Sequence, residues 1–134
     1  MSEEVKPIPG VTEVLAALSI PYCVASSGDH QKIRLTLGAT GLLQHFGDRI
    51  FSVVDVENPK PAPDVFLLAA DRLGVRPSRC VVVEDTPTGV RAGVAAGMHV
   101  FGFCANTPEH RLRGAGAHEV FARMRELPRL LTAA

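Results

Sequence analysis

Short apolar runs alternate with helix-like segments along this chain, and that alternation constrains its fold more than any other feature. The most distinct run, residues 80–83, is Cys-Val-Val-Val and ends at two acids, Glu84 and Asp85. Its length and β-branched residues predict a strand. Residues 21–26, 50–54 and 98–103 form three more such runs, and residues 119–121 predict a short fifth strand. The alternation indicates an α/β fold with an open parallel sheet covered on both faces.

The segments between the runs have helical periodicity and recognisable ends. Asp29 is suited to cap a helix from about residue 30 to 37, with Ile33 and Leu37 facing inward. A helix that opens in the segment starting at Lys60 is expected to end at Gly74 in a left-handed conformation. Two further helices are predicted at about residues 88–96 and 125–131. A helical face is formed by Val11, Val14, Leu15 and Leu18.

Length and charge limit the class of protein. A chain of 134 residues, 46% hydrophobic and 21% charged, is expected to form one globular domain spanning 1–134. Basic and acidic residues both number 14, so no net field attracts nucleic acid or an anionic membrane. No apolar run approaches the roughly 20 residues that span a bilayer. We therefore expect neither nucleic acid nor membrane as a partner.

The cysteines and the N-terminus predict a cytoplasmic protein. Cys23, Cys80 and Cys104 are odd in number and lack the C-x-x-C spacing of metal sites. We expect buried free thiols in a reducing compartment. The first four residues, Met-Ser-Glu-Glu, do not resemble a signal peptide.

Candidate ligand-binding residues follow the predicted strands, where open parallel sheets bind ligands. Ser26, Ser27 and Gly28 offer a hydroxyl and backbone N–H groups at a helix start, which suits a phosphate group. The same three residues are equally typical of a plain turn and helix cap. Their pattern alone does not decide between these interpretations.

Lys60 and the acidic pair complete the set of candidates. An ammonium group beside a phosphate would neutralise its charge, although Lys60 taken alone is as consistent with a solvated loop residue. Glu84 and Asp85 offer hard oxygen ligands of the kind that Mg²⁺ prefers. The alternative for this pair is a helix N-terminus that merely favours negative charge.

Taken together, these residues resemble a known family. Three segments are similar to motifs II, III and IV of the haloacid dehalogenase superfamily, and most of all to the branch that contains phosphoglycolate phosphatases and β-phosphoglucomutases. They are Val24-Ala25-Ser26-Ser27-Gly28, Lys60-Pro61-Ala62-Pro63-Asp64, and Val81-Val82-Val83-Glu84-Asp85 with Thr88-Gly89 and Ala95-Ala96-Gly97-Met98. The resemblance extends from residue 9 to about residue 131.

The resemblance implies a fold and a chemistry. The fold would be a three-layer, Rossmann-like parallel sheet, and the activity would be Mg²⁺-dependent hydrolysis of a small phosphate monoester through an aspartyl-phosphate. Ser26 would donate a hydrogen bond to the transferring phosphoryl group, and Lys60 would clamp that group to the nucleophile. Glu84 and Asp85 would bind Mg²⁺.

The sequence departs from the family pattern at motif I. That motif is a strand ending in Asp-x-Asp, which supplies the nucleophile, and residues 1–134 contain no Asp-x-Asp. Residues 55–57, Asp-Val-Glu, mimic it loosely but occupy a position that carries no chemistry in the family. The cap domain that selects the substrate is also missing. We therefore expect a truncated core that lacks the central first strand, has little or no turnover, and binds Mg²⁺ weakly or not at all by itself.

A missing central strand would leave backbone groups without partners in the sheet. Each such group costs about 1–3 kcal/mol if buried. We therefore expect the motif II and motif IV strands either to pair with each other or to drive self-association, so that the chain is a homo-oligomer. The alternative to a phosphatase core is a non-catalytic binding or oligomerisation module. A dinucleotide-binding domain is excluded because no G-x-G-x-x-G follows the first predicted strand.

Overall fold

The computed structural model describes residues 10–133, except for the side chains of Val11, Thr12, Leu15 and Ala133. Within this range the α-helices are α1 (Val11–Ala17), α2 (His30–Ala39), α3 (Leu43–Phe46), α4 (Asp64–Leu73), α5 (Pro87–Ala95), α6 (Glu109–Gly114) and α7 (Leu127–Ala133). The strands are β1 (Val24–Ser26), β2 (Ile50–Ser52), β3 (Val81–Glu84), β4 (His99–Phe103) and β5 (Glu119–Phe121). The predicted α/β alternation is confirmed.

All strand pairs are parallel, and they form two sheets rather than one. β1 pairs with β2, with Val24 opposite Ile50. β3, β4 and β5 form the second sheet in that order. In the part of the chain that the structure describes, β1 and β3 share no ladder. Of the two outcomes expected for the motif II and motif IV strands, pairing with each other is therefore wrong, and self-association stays a prediction.

Helices cover both faces of the strands, as expected for a three-layer fold. On one face α4 contacts β1 and β2, α5 contacts β3 and β4, and α6 contacts β4 and β5. Gly93 of α5 approaches Val82 and Val100 so closely that a Cβ atom there would collide with Val100. On the opposite face, Phe101 and Phe103 pack with Val14 of α1 and Leu127 of α7. The helices within residues 10–133 all fall short of the length and apolarity that a bilayer span requires.

Local signals fixed several helix ends as predicted. The Asp29 carboxylate accepts a hydrogen bond from the Lys32 N–H at 2.8 Å and caps α2, whose buried face is Ile33 and Leu37. Gly74 ends α4 with φ 71°, a left-handed conformation that other residues rarely adopt. Of the face predicted for α1, Val14 is buried and Leu18 packs against two core clusters. The side chains of Val11 and Leu15 lie outside the described set.

The end of β2 was wrongly predicted, and helix α6 was missed. β2 ends at Ser52, and residues 53–55 form a 3₁₀ turn instead of continuing the strand. The Ser52 hydroxyl accepts the Val54 N–H and the Asp55 carboxylate accepts the Ser52 N–H, so a capping box ends β2 despite the β-branched residues that follow. Helix α6 was not predicted, because residues 109–114 have a single buried apolar residue, Leu112.

The strand leading to the acidic pair is only partly buried. Val82 is buried, but Val81 and Val83 are each 37% exposed. Their exposure follows from topology, since β3 has a neighbour on one side only. β1 is likewise half-buried throughout. A sheet covered on both faces would bury both strands, and this expectation was wrong for β1 and for alternate residues of β3.

The three cysteines are free thiols of intermediate burial rather than buried ones. Burial raises the pKa of Cys23 to about 11, with a smaller contribution from Cys80. Burial also raises the pKa of Cys80. Because the thiolate is the reactive form, both residues are expected to be poor nucleophiles in the folded protein.

We predict that native Cys23 resists alkylation. With a pKa of about 11, about one thiol in a thousand is ionised at pH 8. Iodoacetamide labelling followed by peptide mass spectrometry should show that Cys23 reacts far more slowly in buffer than in urea. A urea concentration of about 8 M is expected to unfold a small domain. Equal rates in the two conditions would contradict the environment described for this thiol.

Candidate functional site

The Lys60 ammonium group joins two strands that are not hydrogen-bonded to each other. Its Nζ donates to the Ala25 carbonyl of β1 at 3.1 Å and to Glu84 Oε2, at the end of β3, at 2.6 Å. The Lys60 side chain is 7% exposed and that of Glu84 is 11% exposed. Nζ also lies 4.8 Å from the centre of the Phe66 ring, within cation–π range. Three distant sequence segments thus meet at one buried cation.

The strand geometry explains why the Ala25 carbonyl is available to Lys60. Backbone groups of alternate residues in a parallel strand point to opposite sides. The Val24 N–H donates to the Arg49 carbonyl, on the β2 side, so the polar groups of Ala25 point away from β2. Lys60 therefore supplies a donor to an open strand edge.

Gly89 leaves space for the Glu84 carboxylate at the start of α5. Any Cβ atom on Gly89 would overlap the carboxylate of Glu84, so this carboxylate lies directly on the first turn of α5. Thr86 caps this helix by accepting the Gly89 N–H at 3.1 Å. The N-terminal end of a helix dipole favours a negative charge at this position. Glu84 is thus stabilised by Lys60 on one side and by α5 on the other.

The loop after β1 carries the remaining candidates for phosphate binding. The Ser26 Oγ accepts the Gly28 N–H at 3.0 Å, which leaves its own hydrogen free to donate. Ser26 directly follows Ala25, the residue that Lys60 contacts. A cavity of about 370 Å³ adjoins the loop and is lined by Ser26, Ser27, Gly28 and Lys32, among others. The Ser26 hydroxyl and the Lys32 side chain thus border one cavity, while the Lys60 ammonium contacts the residue before Ser26.

The turn after β2 contacts the same loop. The Ser52 hydroxyl donates to the Gly28 carbonyl. The Asp55 carboxylate accepts a hydrogen bond from His30 Nε2 at 2.7 Å. The Ser52 N–H first, and His30 as a smaller contributor, hold the pKa of Asp55 below its usual value. Sequence reasoning missed these contacts, because nothing local to Ser52 or Asp55 indicates which loop lies beside them.

The acidic pair offers carboxylate oxygens of the kind that Mg²⁺ binds. Asp85 is exposed, whereas Glu84 already shares one oxygen with Lys60. Among residues 10–133, no three His, Cys, Asp or Glu side chains are grouped closely enough to hold a metal ion. Mg²⁺ commonly binds one or two carboxylates and completes its shell with water and substrate phosphate. The donor chemistry therefore fits Mg²⁺, with Asp85 as the more available ligand.

The structure thus brings together Ser26, Lys60 and Glu84, whose segments are distant in sequence. Asp85 follows Glu84 at the same strand end, and its carbonyl accepts a hydrogen bond from Thr107 at 2.7 Å. Their proposed roles toward phosphate and metal stay predictions. Residues 55–57 follow β2, which pairs with β1 in a two-stranded sheet.

Comparison with known proteins identifies relatives of this chain. A family model described as haloacid dehalogenase-like hydrolase matches residues 1–97. The chain is 33% identical over 127 residues to 6-phosphogluconate phosphatase of Escherichia coli (strain K12), covering 95% of this chain and 57% of that protein. It is also similar to hexitol phosphatase A of the same organism, at 36% identity over 115 residues, covering 83% of this chain and 52% of that protein.

A solved structure supports the same relationship. A haloacid dehalogenase-like protein of unknown function from Agrobacterium tumefaciens superimposes with a TM-score of 0.90 at 39% identity, covering 96% of this chain and 61% of that one. The chain thus spans about half the length of the curated relatives named above, and somewhat more of this solved chain.

We predict that Gly89→Ala destabilises the protein and disturbs the Lys60–Glu84 pair. The added methyl group occupies the space of the carboxylate, and overpacking of this kind costs about 1–3 kcal/mol. Urea unfolding followed by circular dichroism measures the loss. Gly38→Ala is the matched control, since a Cβ there meets nothing within 4 Å and α2 should gain up to about 1 kcal/mol. A Gly89→Ala variant as stable as the wild type would contradict this packing.

Proposed function

Because the chain belongs to the haloacid dehalogenase-like hydrolase family, we propose that it forms the phosphate-holding part of a phosphate-monoester hydrolase. One observation carries the proposal: the Lys60 ammonium contacts both Glu84 and the residue before Ser26. A buried cation, a free hydroxyl hydrogen and a carboxylate are thereby placed at neighbouring strand ends. That arrangement suits a phosphoryl group, whose charge must be neutralised by fixed donors.

Each residue has a separate role in this proposal. Lys60 would contact a phosphoryl oxygen while keeping its bond to Glu84. Ser26 would donate its free hydrogen to a second oxygen, and the Ser27 and Gly28 segment would border the group. Glu84 and Asp85 would hold Mg²⁺, which supplies charge neutralisation when bound. The substrate would be a small phosphorylated molecule, as in the phosphatases named above.

The covalent step requires an aspartate that residues 1–134 do not offer in an Asp-x-Asp motif. We propose that the strand bearing it belongs between β1 and β3, whose facing edges have no strand partner in the described structure. Hydrolysis through an aspartyl-phosphate cannot proceed without that nucleophile. Residues 1–134 alone should therefore bind phosphate but turn over little or no substrate.

We predict that inorganic phosphate with Mg²⁺ raises the melting temperature of the purified 134-residue chain. Ligand at 100 times its Kd stabilises a folded protein by about 2.7 kcal/mol. The double variant Lys60→Met/Glu84→Gln should lose the shift in melting temperature, and it leaves no unpaired buried charge. The control Arg34→Met removes an exposed cation and should keep the shift.

A hydrolysis assay tests the other half of the proposal. With p-nitrophenyl phosphate and Mg²⁺, the 134-residue chain should show no release of p-nitrophenol above the buffer rate. Clear Mg²⁺-dependent turnover that Asp85→Ala abolishes would show that this chain carries a complete active site. Absence of any phosphate-induced shift in melting temperature would instead reject phosphate binding.

The exposed edge of β3 favours a second candidate function, a module that assembles through its strands. Val81 and Val83 direct their backbone groups away from β4, because the Cys80 carbonyl points toward it and accepts the His99 N–H. Their side chains are also exposed. Unpaired, apolar strand edges readily pair with another chain.

We predict that the 134-residue chain self-associates through this edge. Sedimentation velocity should show a dimer or larger species whose fraction rises with concentration. Val83→Lys should shift the population to monomer, because a charged edge residue opposes strand pairing. Leu35→Lys changes an exposed apolar residue of α2 and should leave assembly unaffected. A wild-type chain that stays monomeric up to about 100 μM, where weak contacts of μM affinity already form, would reject the module.

A further inference from the structure

Ser52 is a polar residue whose side chain is entirely buried, at 0% exposure, at the end of β2. Its hydroxyl satisfies both of its hydrogen-bonding roles locally. It accepts the Val54 N–H at 3.2 Å and donates to the Gly28 carbonyl, 24 residues away in sequence. Ser52 therefore connects the core to the loop that carries Ser26, Ser27 and Gly28.

Asp55 makes a second connection between the same two segments. One of its oxygens accepts the Ser52 N–H at 3.0 Å, and the carboxylate also binds Nε2 of His30, the first residue of α2. The two connections flank Asp29, the cap of α2. The turn at residues 52–55 thus holds the loop on both sides of Asp29.

The contact with Ser52 determines which way one loop peptide faces. A trans peptide is planar, so its carbonyl and its N–H point in opposite directions. Because the Gly28 carbonyl points at Ser52, the Asp29 N–H points away from that buried hydroxyl. A peptide turned the other way would present a carbonyl oxygen, which repels an anion. Ser52 thereby directs the Asp29 N–H away from the buried end of β2, and in the proposed function this N–H would face the phosphate.

We propose that Ser52 and Asp55 are positioning residues that hold the loop at residues 26–30 in its phosphate-binding conformation. The proposal rests on the proposed function of this site, since it assigns the loop a phosphate ligand. Neither residue touches the phosphate. Their role is to fix the direction of the Asp29 N–H and the place of the Ser26 hydroxyl relative to Lys60.

The experiment is a titration of the ¹⁵N-labelled 134-residue chain with inorganic phosphate, followed by NMR. In the wild type, phosphate should shift the amide signals of Ser27, Gly28 and Asp29. Ser52→Ala should weaken phosphate binding by about tenfold, the effect of losing one hydrogen bond that orders the loop. Asp55→Asn should weaken it less. The matched controls Ser78→Ala and Asp48→Asn remove an exposed hydroxyl and an exposed carboxylate and should bind within twofold of wild type.

The spectra recorded without phosphate distinguish a positioning role from general destabilisation of the protein. Without phosphate, Ser52→Ala should move the loop amides while leaving those of β4 in place. Unmoved loop amides and unchanged affinity in both Ser52→Ala and Asp55→Asn would overturn the positioning role and leave the proposed function standing. If wild type shows no phosphate-induced shifts, the proposed function and the phosphate role of the loop both fail. Asp55→Asn changes a partly exposed side chain, so the test survives even if Ser52→Ala does not fold.

Discussion

The pairing of Lys60 with Glu84 is the interaction on which the rest of the site depends. Both side chains are almost fully buried, and an ionised group is costly to bury unless it is paired and hydrogen-bonded. Here the Lys60 ammonium gains a carboxylate, a backbone carbonyl and an aromatic ring. Glu84 in turn gains the start of α5, which accommodates it because residue 89 is glycine. Removal of either charge would leave the other buried without its ionic partner, which is more destabilising than replacing both residues by neutral side chains of similar size.

Lys60 also helps to hold the two separate sheets side by side. β1 and β3 share no backbone hydrogen bonds in the described structure. Helix α4 packs against β1 and α5 against β3, while side chains from both sheets join one core cluster. Lys60 adds a polar connection to this apolar one, because it satisfies an Ala25 carbonyl that would otherwise face the space between the sheets. Val81 and Val83 of β3 are exposed because, in the described structure, no strand pairs with that edge, so β1 and β3 do not form one continuous sheet.

Local features of the fold could be predicted from sequence, whereas contacts between distant segments could not. The Asp29 cap and the left-handed Gly74 are set by the chemistry of single residues, and both were predicted correctly. The end of β2 was mispredicted because the strand propensity of the valines at 53 and 54 is overridden by hydrogen bonds of Ser52 and Asp55. Lys60 and Glu84 were both predicted as residues of one site, but the direct ion pair between them was not predicted. The contacts from Ser52 to Gly28 and from Asp55 to His30 span more than 20 residues and have no local signal.

Lys60 has one N–H donor more than its two hydrogen-bond acceptors in the protein use. An ammonium group has three N–H donors. The Ala25 carbonyl and Glu84 occupy two of them, which leaves one for a phosphoryl oxygen. In the proposed function, Lys60 would contact a phosphate without giving up the bonds that hold it, so binding would not require the buried pair to rearrange. Ser26 is arranged in the same way, since its oxygen accepts the Gly28 N–H while its hydrogen remains free. Both residues are thus fixed by partners in the protein and retain one donor each. For the proposed phosphate ligand, donors that are already in place would supply the preorganisation that electrostatic stabilisation of phosphoryl transfer requires.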